Sequence, residues 1–362
     1  MTANTVPLST APRIAVSILT GFLGCGKTTL LNSVLRHPAA SSVLVIVNEF
    51  GEIGLDHVLI ESASDTVLLL DNGCLCCTVF GELVDALSEL YHRRHAGELS
   101  FERIVIETSG LADPTGIIQA FLSDPRLERL YRVSAVVTVV DGVNIESTLD
   151  ENEESVRQIA LADQIVISKL DLIEAERRSA RHTALETMCR KINPSAEILA
   201  MTELERSAVA LFLCEGCDPM RGEAAAWLNV LPQAPSAVEE LRPHSNRTDV
   251  GCVSFIRDEP LPRQALQLFV EGIERNVGRD LLRLKAIVTV AGEDRGPAVI
   301  HGVRHLVHNI DWLDYWPFED RQSRFVLIAT GHSSEELRGL VALLERFAVR
   351  SAAARRSDGV KS

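Results

Sequence analysis

Between residues 13 and 213, short apolar runs alternate with stretches of helical periodicity. Ile14 to Leu19, Val43 to Val47, Val67 to Leu70, Ile104 to Ile106, Ala135 to Val140, Ile165 to Ile167 and Glu197 to Leu199 are short and mostly rich in Val, Ile and Leu. Runs of this kind predict strands buried on both faces. Between them, Phe80 to His92, Thr115 to Leu122, Glu154 to Leu161 and Glu174 to Ile192 space apolar residues as amphipathic helices do. The alternation predicts an α/β domain with a mainly parallel sheet and helices on both faces. Residues 218–249 hold four of the fourteen prolines and little periodicity, which predicts a linker. Beyond it, Gly251 to Ile256, Leu282 to Val290, Ala298 to His301, Leu306 to Ile310 and Arg324 to Ala329 read as strands, and Pro262 to Arg275 and Ser334 to Phe347 as helices. That set predicts a smaller C-terminal α+β domain, one antiparallel sheet with two helices on one face. The expected division is a flexible 1–12, a first domain over 13–217, the linker 218–249, a second domain over 250–349 and a disordered tail over 350–362. No period repeats, so a solenoid is excluded.

Composition narrows the functions. Of 362 residues, 46% are hydrophobic and 24% charged, ordinary values for a folded protein. The net charge of −14 opposes binding to a phosphate backbone, so nucleic acid is not an expected partner. Met1 to Pro12 lacks the basic and apolar segments of a signal peptide, and no run is long enough to span a membrane, which predicts a cytoplasmic protein with no membrane partner. Eight cysteines in such a chain point to metal or redox chemistry before disulfides.

The strongest chemical signal follows the first predicted strand. Gly21-Phe22-Leu23-Gly24-Cys25-Gly26-Lys27-Thr28-Thr29 has the P-loop spacing between a β-branched run and the helical pattern of Leu30, Leu31, Val34 and Leu35. Gly21, Gly24 and Gly26 free the backbone so that its N–H groups converge on a polyphosphate, and the helix offers its positive end to the same anion. Lys27 is the expected ligand of the β- and γ-phosphates, and the Thr28 hydroxyl that of Mg²⁺. The strand Arg103 to Ile106 ends in Glu107-Thr108-Ser109-Gly110. Beside a P-loop, Glu107 is placed to hold a water on Mg²⁺ and Gly110 to give its N–H to the γ-phosphate.

Ser168-Lys169-Leu170-Asp171 follows another predicted strand and resembles the Asn-Lys-x-Asp motif that reads guanine. The Lys169 stem would pack on the base, and Asp171 would accept the donor pair that adenine lacks, selecting GTP. Ser168 stands where that motif has Asn, which predicts a weaker tether for the loop. Cys74, Cys76 and Cys77 lie on a short loop after Gly73. Three thiolates there can converge on a soft ion such as Zn²⁺, with a fourth position open, or remain buried or redox-active thiols. Asn48 to His57, after the second strand, contains Glu49, Glu52, Asp56 and His57. One of these completes the metal site or positions the attacking water, and Glu49 is the candidate for the water. Cys214 and Cys217 form a further pair with no two other ligands nearby in sequence.

Taken in order, these motifs resemble the CobW-type family of P-loop GTPases, metallochaperones and metallocentre assembly factors. The resemblance rests on the P-loop, Asn48-Glu49-Phe50-Gly51, Cys74-Leu75-Cys76-Cys77, Glu107-Thr108-Ser109-Gly110 and Ser168-Lys169-Leu170-Asp171. It implies Zn²⁺ carried on Cys74, Cys76 and Cys77, GTP hydrolysis coupled to transfer to a client metalloprotein, and a C-terminal domain that helps choose the client. The alternatives are an assembly factor for a cobalt or iron centre, as in a cobalamin pathway or a nitrile hydratase, and a nucleotide-dependent thiol switch without metal.

Overall fold

β1 (Ile14–Thr20) and β2 (Val43–Val47) are buried at every position, as continuous apolar runs must be when both faces of a sheet are covered. The computed structural model describes residues 13–47, 67–69, 80–202, 250–294, 296–304, 306–307, 310–316 and 320–359. β3 (Val67–Leu69), β4 (Arg103–Glu107), β5 (Tyr131–Asp141), β6 (Gln164–Ser168) and β7 (Glu197–Ala200) complete a seven-stranded sheet in the order β3-β2-β4-β1-β5-β6-β7. Every pairing in it is parallel.

Side-chain alternation sends successive residues of the central strands to opposite faces of the sheet, each covered by its own core. Val16, Ile18, Leu44, Ile46, Ile104 and Ile106 pack with Leu83 and Leu87 of α2 (Phe80–His95) and Ile117 and Phe121 of α3 (Thr115–Ser123). On the opposite face, Leu19, Val43, Val45, Val105 and Val137 pack with Leu30, Leu31 and Val34 of α1 (Lys27–Leu35). Two short helices escaped the periodicity argument, α4 (Pro125–Leu130) and α5 (Ile145–Glu151). For α4 the signal was present in the residues: the Asp124 side chain accepts from the N–H groups of Arg126 and Leu127, and Pro125 occupies the first turn. α6 (Glu153–Leu161) and α7 (Ala175–Ile192) flank β6, where Ile159 and Leu185 pack with Ile165 and Ile167.

The C-terminal sheet is antiparallel, in the order β13-β12-β10-β15-β8 with β14 on β12. Its strands are β8 (Val250–Arg257), β10 (Leu281–Val288), β12 (Ala298–Val303), β13 (Leu306–Val307), β14 (Asp311–Trp312) and β15 (Ser323–Thr330). The expected strand from Leu282 to Val290 is divided: β10 ends at Val288, and β11 (Val290–Ala291) pairs instead with β9 (Leu261–Pro262). Between them Thr289 turns aside, its N–H donating to Ser323 Oγ and its carbonyl accepting from Leu261. α8 (Arg263–Val277) and α9 (Ser334–Gly359) share one core with Leu284, Ala286, Val288, Phe325 and Leu327. The tail expected to be disordered over 350–362 is helical as far as Gly359. Ala352, Ala353 and Ala354 between arginines favour a helix, and no glycine intervenes until that residue. The expected linker and the Cys214 and Cys217 pair fall outside the described residues.

The other face of the C-terminal sheet meets the first domain. Leu282, Val326 and Ile328 cluster with Ala160 of α6 and with Ile192 of α7. At this seam Arg283 and Lys285 both donate to the Asp163 carboxylate, whose other oxygen accepts from Val136 N–H at 2.8 Å. Among the described residues, no helix is long and apolar enough to cross a membrane.

Candidate nucleotide site

In the first sheet, register aligns Leu19 with Glu107, Val47 with Glu107, Thr20 with Thr138, and Asp141 with Ser168. The carboxyl ends of these five strands therefore lie along one edge, where parallel α/β sheets bind ligands. Gly21, Gly24 and Gly26 have φ of 139°, 68° and 102°. A Cβ on Gly21 would stand 2.3 Å from the Val139 carbonyl oxygen, so contact with the sheet demands glycine there as much as the dihedral does. α1 begins at Lys27 with no side-chain cap and no acidic residue in its first turn. Its leading N–H groups are thus suited to an anion, as the glycine spacing predicts.

Lys27 is buried and arches back over the loop, Nζ donating to the carbonyls of Gly21 at 2.8 Å and Phe22 at 3.4 Å. Thr28 Oγ1 donates to Glu107 Oε1 at 3.4 Å. A hydroxyl and a carboxylate side by side at the mouth of the loop are the hard oxygen donors that Mg²⁺ takes, so the pair fits this ion. Two hydrogen bonds fasten the segment after β4 to the end of β1, Thr108 N–H to Leu19 at 2.9 Å and Thr108 Oγ1 to Thr20 Oγ1 at 2.8 Å. Gly110 lies against the P-loop backbone, since a Cβ there would come within 2.6 Å of Leu23 N.

Ser168 corrects the expectation of a loose tether. Its hydroxyl lies 2.6 Å from the Cys25 carbonyl and 3.1 Å from that of Val140, joining the Ser168 to Asp171 segment to the P-loop and to β5. A serine suffices because the two loops are in contact: a Cβ on Gly26 would meet Ser168 Cβ at 3.7 Å. Lys169 takes a left-handed conformation, φ 58°, and its Nζ donates to Asp141 Oδ2 at 2.7 Å. Asp141 was missed by motif reading, although it ends a strong apolar run. Burial would raise its carboxyl, but hydrogen bonds from Lys169, Asn144 and the Val143 and Asn144 N–H groups outweigh this and hold it below the usual carboxylate range. Arg178 of α7 was missed too, and it braces the segment by donating to the carbonyls of Leu170, Asp171 and Ile173. Asp171 itself is exposed at the rim.

Cys25 is buried, and burial pushes its thiol up against the opposing effect of Lys27. It fills the space beneath the loop, where a Cβ on Gly21 would approach its Sγ to 2.8 Å. Phe22, Leu23 and Thr29 complete the loop and the first turn; Leu23 and Thr29 are exposed at the site's edge. Burial also pushes the thiols of Cys189 and Cys252 up to about 12, so both stay protonated. Glu49 and the cysteines Cys74, Cys76 and Cys77 lie outside the described residues. Their points of departure are described: the chain leaves β2 at Val47, beside Glu107, and leaves β3 at Leu69, beside Val47. Neighbouring strands are about 5 Å apart, so Leu69 lies roughly 10 Å from Glu107. Among the described residues, no three His, Cys, Asp or Glu side chains converge to hold a metal ion.

A parallel sheet carrying this glycine loop at its carboxyl edge defines a P-loop nucleotide-binding protein. The chain belongs to the CobW/HypB/UreG family, whose nucleotide-binding domain matches residues 15–200; residues 250–344 match the cobalamin synthesis protein cobW C-terminal domain. The zinc chaperone YjiA of Escherichia coli K12 is 32% identical over 92% of this chain and 99% of its own. Zinc-regulated GTPase metalloprotein activator 1 of Schizosaccharomyces pombe is 39% identical over 54% of this chain and 47% of its own. The crystal structure of the Zn(II)-bound YjiA GTPase from E. coli superposes with a TM-score of 0.67 and 27% identity, covering 92% of this chain and 99% of that one.

Proposed function

We propose that the chain is a GTP-hydrolysing zinc chaperone that carries Zn²⁺ on Cys74, Cys76 and Cys77 and delivers it to a client metalloprotein. The observation that carries this reading is the convergence of the P-loop, Glu107, Gly110 and the Ser168 to Asp171 segment on one sheet edge, where β3, the strand that precedes the cysteines in sequence, also ends. The likeness over nearly its whole length to a protein named a zinc chaperone supports the choice of cargo. Lys27 exchanges the carbonyls of Gly21 and Phe22 for phosphate oxygens, Gly110 N–H meets the γ-phosphate, and Glu49 positions the attacking water. Thr28 and Glu107 would hold Mg²⁺, which when bound would neutralise charge on the transferred phosphoryl group. Asp171 reads guanine, with Lys169 held over the base by Asp141. Asp171→Asn is expected to lower the preference for GTP over ATP by about tenfold or more in competition binding, because the donor pair of guanine loses its full acceptor.

Nucleotide gates the metal in this reading. GTP shifts zinc affinity only as far as it favours one arrangement of the cysteine loop, and a coupling of about 1–3 kcal/mol changes affinity by roughly 5- to 150-fold. The test is a competition titration of Zn²⁺ with the nucleotide-free, GTP-analogue and GDP forms, repeated with Cys76→Ser. The expected result is unequal affinities in the three wild-type forms and a large loss with Cys76→Ser. Equal affinities remove the gating, and wild-type affinity in Cys76→Ser removes the site. Tighter Co²⁺ or Fe²⁺ binding would favour the assembly-factor reading, and thiols that take no metal would favour the redox switch.

A further inference from the structure

Helix α6 touches the nucleotide edge and the C-terminal domain within four residues. Gln158 is 1% exposed, and its Nε2 donates to the carbonyls of Gly110 at 3.2 Å and Ala112 at 3.1 Å. Two carbonyls facing one amide group settle its orientation, since an amide oxygen there would repel both. The Gln158 backbone carbonyl accepts from Thr138 Oγ1 on β5 at 2.8 Å, which pins the helix to the sheet. Arg157 approaches Asp113 Oδ2 at 3.6 Å, and Arg304 of the C-terminal domain approaches the same oxygen at 3.3 Å. Further along, Ala160 is buried against Leu282, Val326 and Ile328, and the Leu161 carbonyl accepts from Arg283.

A rise of 1.5 Å per residue puts Gln158 and Ala160 only about 3 Å apart along the helix axis. Packing at interior density cannot absorb a displacement of one without moving the other. The segment that Gln158 grips is itself backed by Leu23 of the P-loop, so a ligand that draws on Gly110 pulls directly on α6. We propose that Gln158 is a positioning residue: it sets the Gly110 N–H for the γ-phosphate and, through α6, transmits occupancy of that position to the C-terminal sheet. This rests on the GTPase reading above and adds to it a route by which hydrolysis alters the domain expected to choose the client. The Arg304 to Asp113 pair is a second, weaker contact on the same segment, being partly solvent-exposed.

The experiment uses the full chain as wild type, as Gln158→Met, which keeps length and burial but has no N–H, and as Gln158→Asn, whose amide is one methylene too short. Hydrogen exchange over Leu281–Val288 and Ser323–Thr330 is compared with GDP and with a GTP analogue, alongside kcat, KM and GDP affinity. The wild type is expected to differ in exchange between the two nucleotides. In both variants kcat falls by about tenfold or more, GDP affinity stays within about twofold and the exchange difference disappears. A purely structural glutamine would instead loosen both nucleotide states alike. Variants that keep the wild-type exchange difference, or that lose GDP affinity in proportion to kcat, overturn the proposal. Wild-type protein that hydrolyses GTP without any exchange difference overturns this inference alone, whereas absence of GTP hydrolysis overturns the functional reading and the inference with it.

Discussion

GTP turnover by the Lys27→Ala protein is expected to fall by about 10²-fold or more, the scale seen when a preorganised donor to developing charge is removed. Lys27 is the cation at the loop, buried and already aimed across it by the Gly21 and Phe22 carbonyls, so it reaches the phosphates with little reorganisation. Among the described residues, alanine leaves a space that no neighbouring cation fills: the Lys169 ammonium is engaged by Asp141. Thr28→Ala removes the hydroxyl beside Glu107 and is expected to cause a loss of similar order, whereas Thr28→Ser keeps that oxygen and most of the activity. Phosphate release at saturating GTP and Mg²⁺ measures each. Near-normal rates in both alanine variants would place hydrolysis elsewhere.

The second large effect is on stability. Asp163 lies between two buried cations, Arg283 and Lys285, at the seam between domains. Removing the carboxylate with Asp163→Asn is expected to cost about 3–5 kcal/mol, the range for leaving buried charge uncompensated. Burial alone would raise the Asp163 carboxyl, but the two cations outweigh it and hold the group at about 2, below the ordinary 3.8. A depressed carboxylate stabilises fully above its unfolded value and loses that contribution as pH falls through the folded one. The gap in unfolding free energy between wild type and Asp163→Asn should therefore be constant above about pH 5 and narrow by about 2 kcal/mol between about pH 5 and pH 2. Urea unfolding across that range is the measurement. A gap at pH 2 as wide as that at pH 7 would show that the loss comes from packing and not from charge. Because the cluster joins Asp163 to β10, the variant is also expected to loosen the contact between domains before either core opens.

Much of the site was legible from local pattern. The glycine spacing before Lys27 demanded positive φ, and the three glycines have it. The apolar run ending at Glu107 predicted a strand beside β1, and the pairing of Leu19 with Glu107 delivers that carboxylate to Thr28. Gln158, Asp141 and Arg178 were not legible. Each acts through a backbone carbonyl or a side chain remote in sequence, and in the chain each resembles an ordinary polar residue on a helix or at a strand end. Nor was the division of the Leu282 to Val290 run, because hydrophobicity carries no mark of the residue at which a strand changes partners.

Consecutive residues and their spacing were enough to place most of the strands and helices, the turns that need glycine and the chemical groups available, though not α4, α5 or the change of strand partner after Val288. Only the tertiary structure decided which groups meet. Ser168 replaces the expected asparagine without loss of the tether because strand order brings it to Cys25, 143 residues away. Asp163 is a structural ion rather than a surface carboxylate because one face of the second domain's sheet closes over it. Such contacts depend on the order and register of strands, which follow from the joint burial of all the apolar faces and are written in no single stretch of the chain.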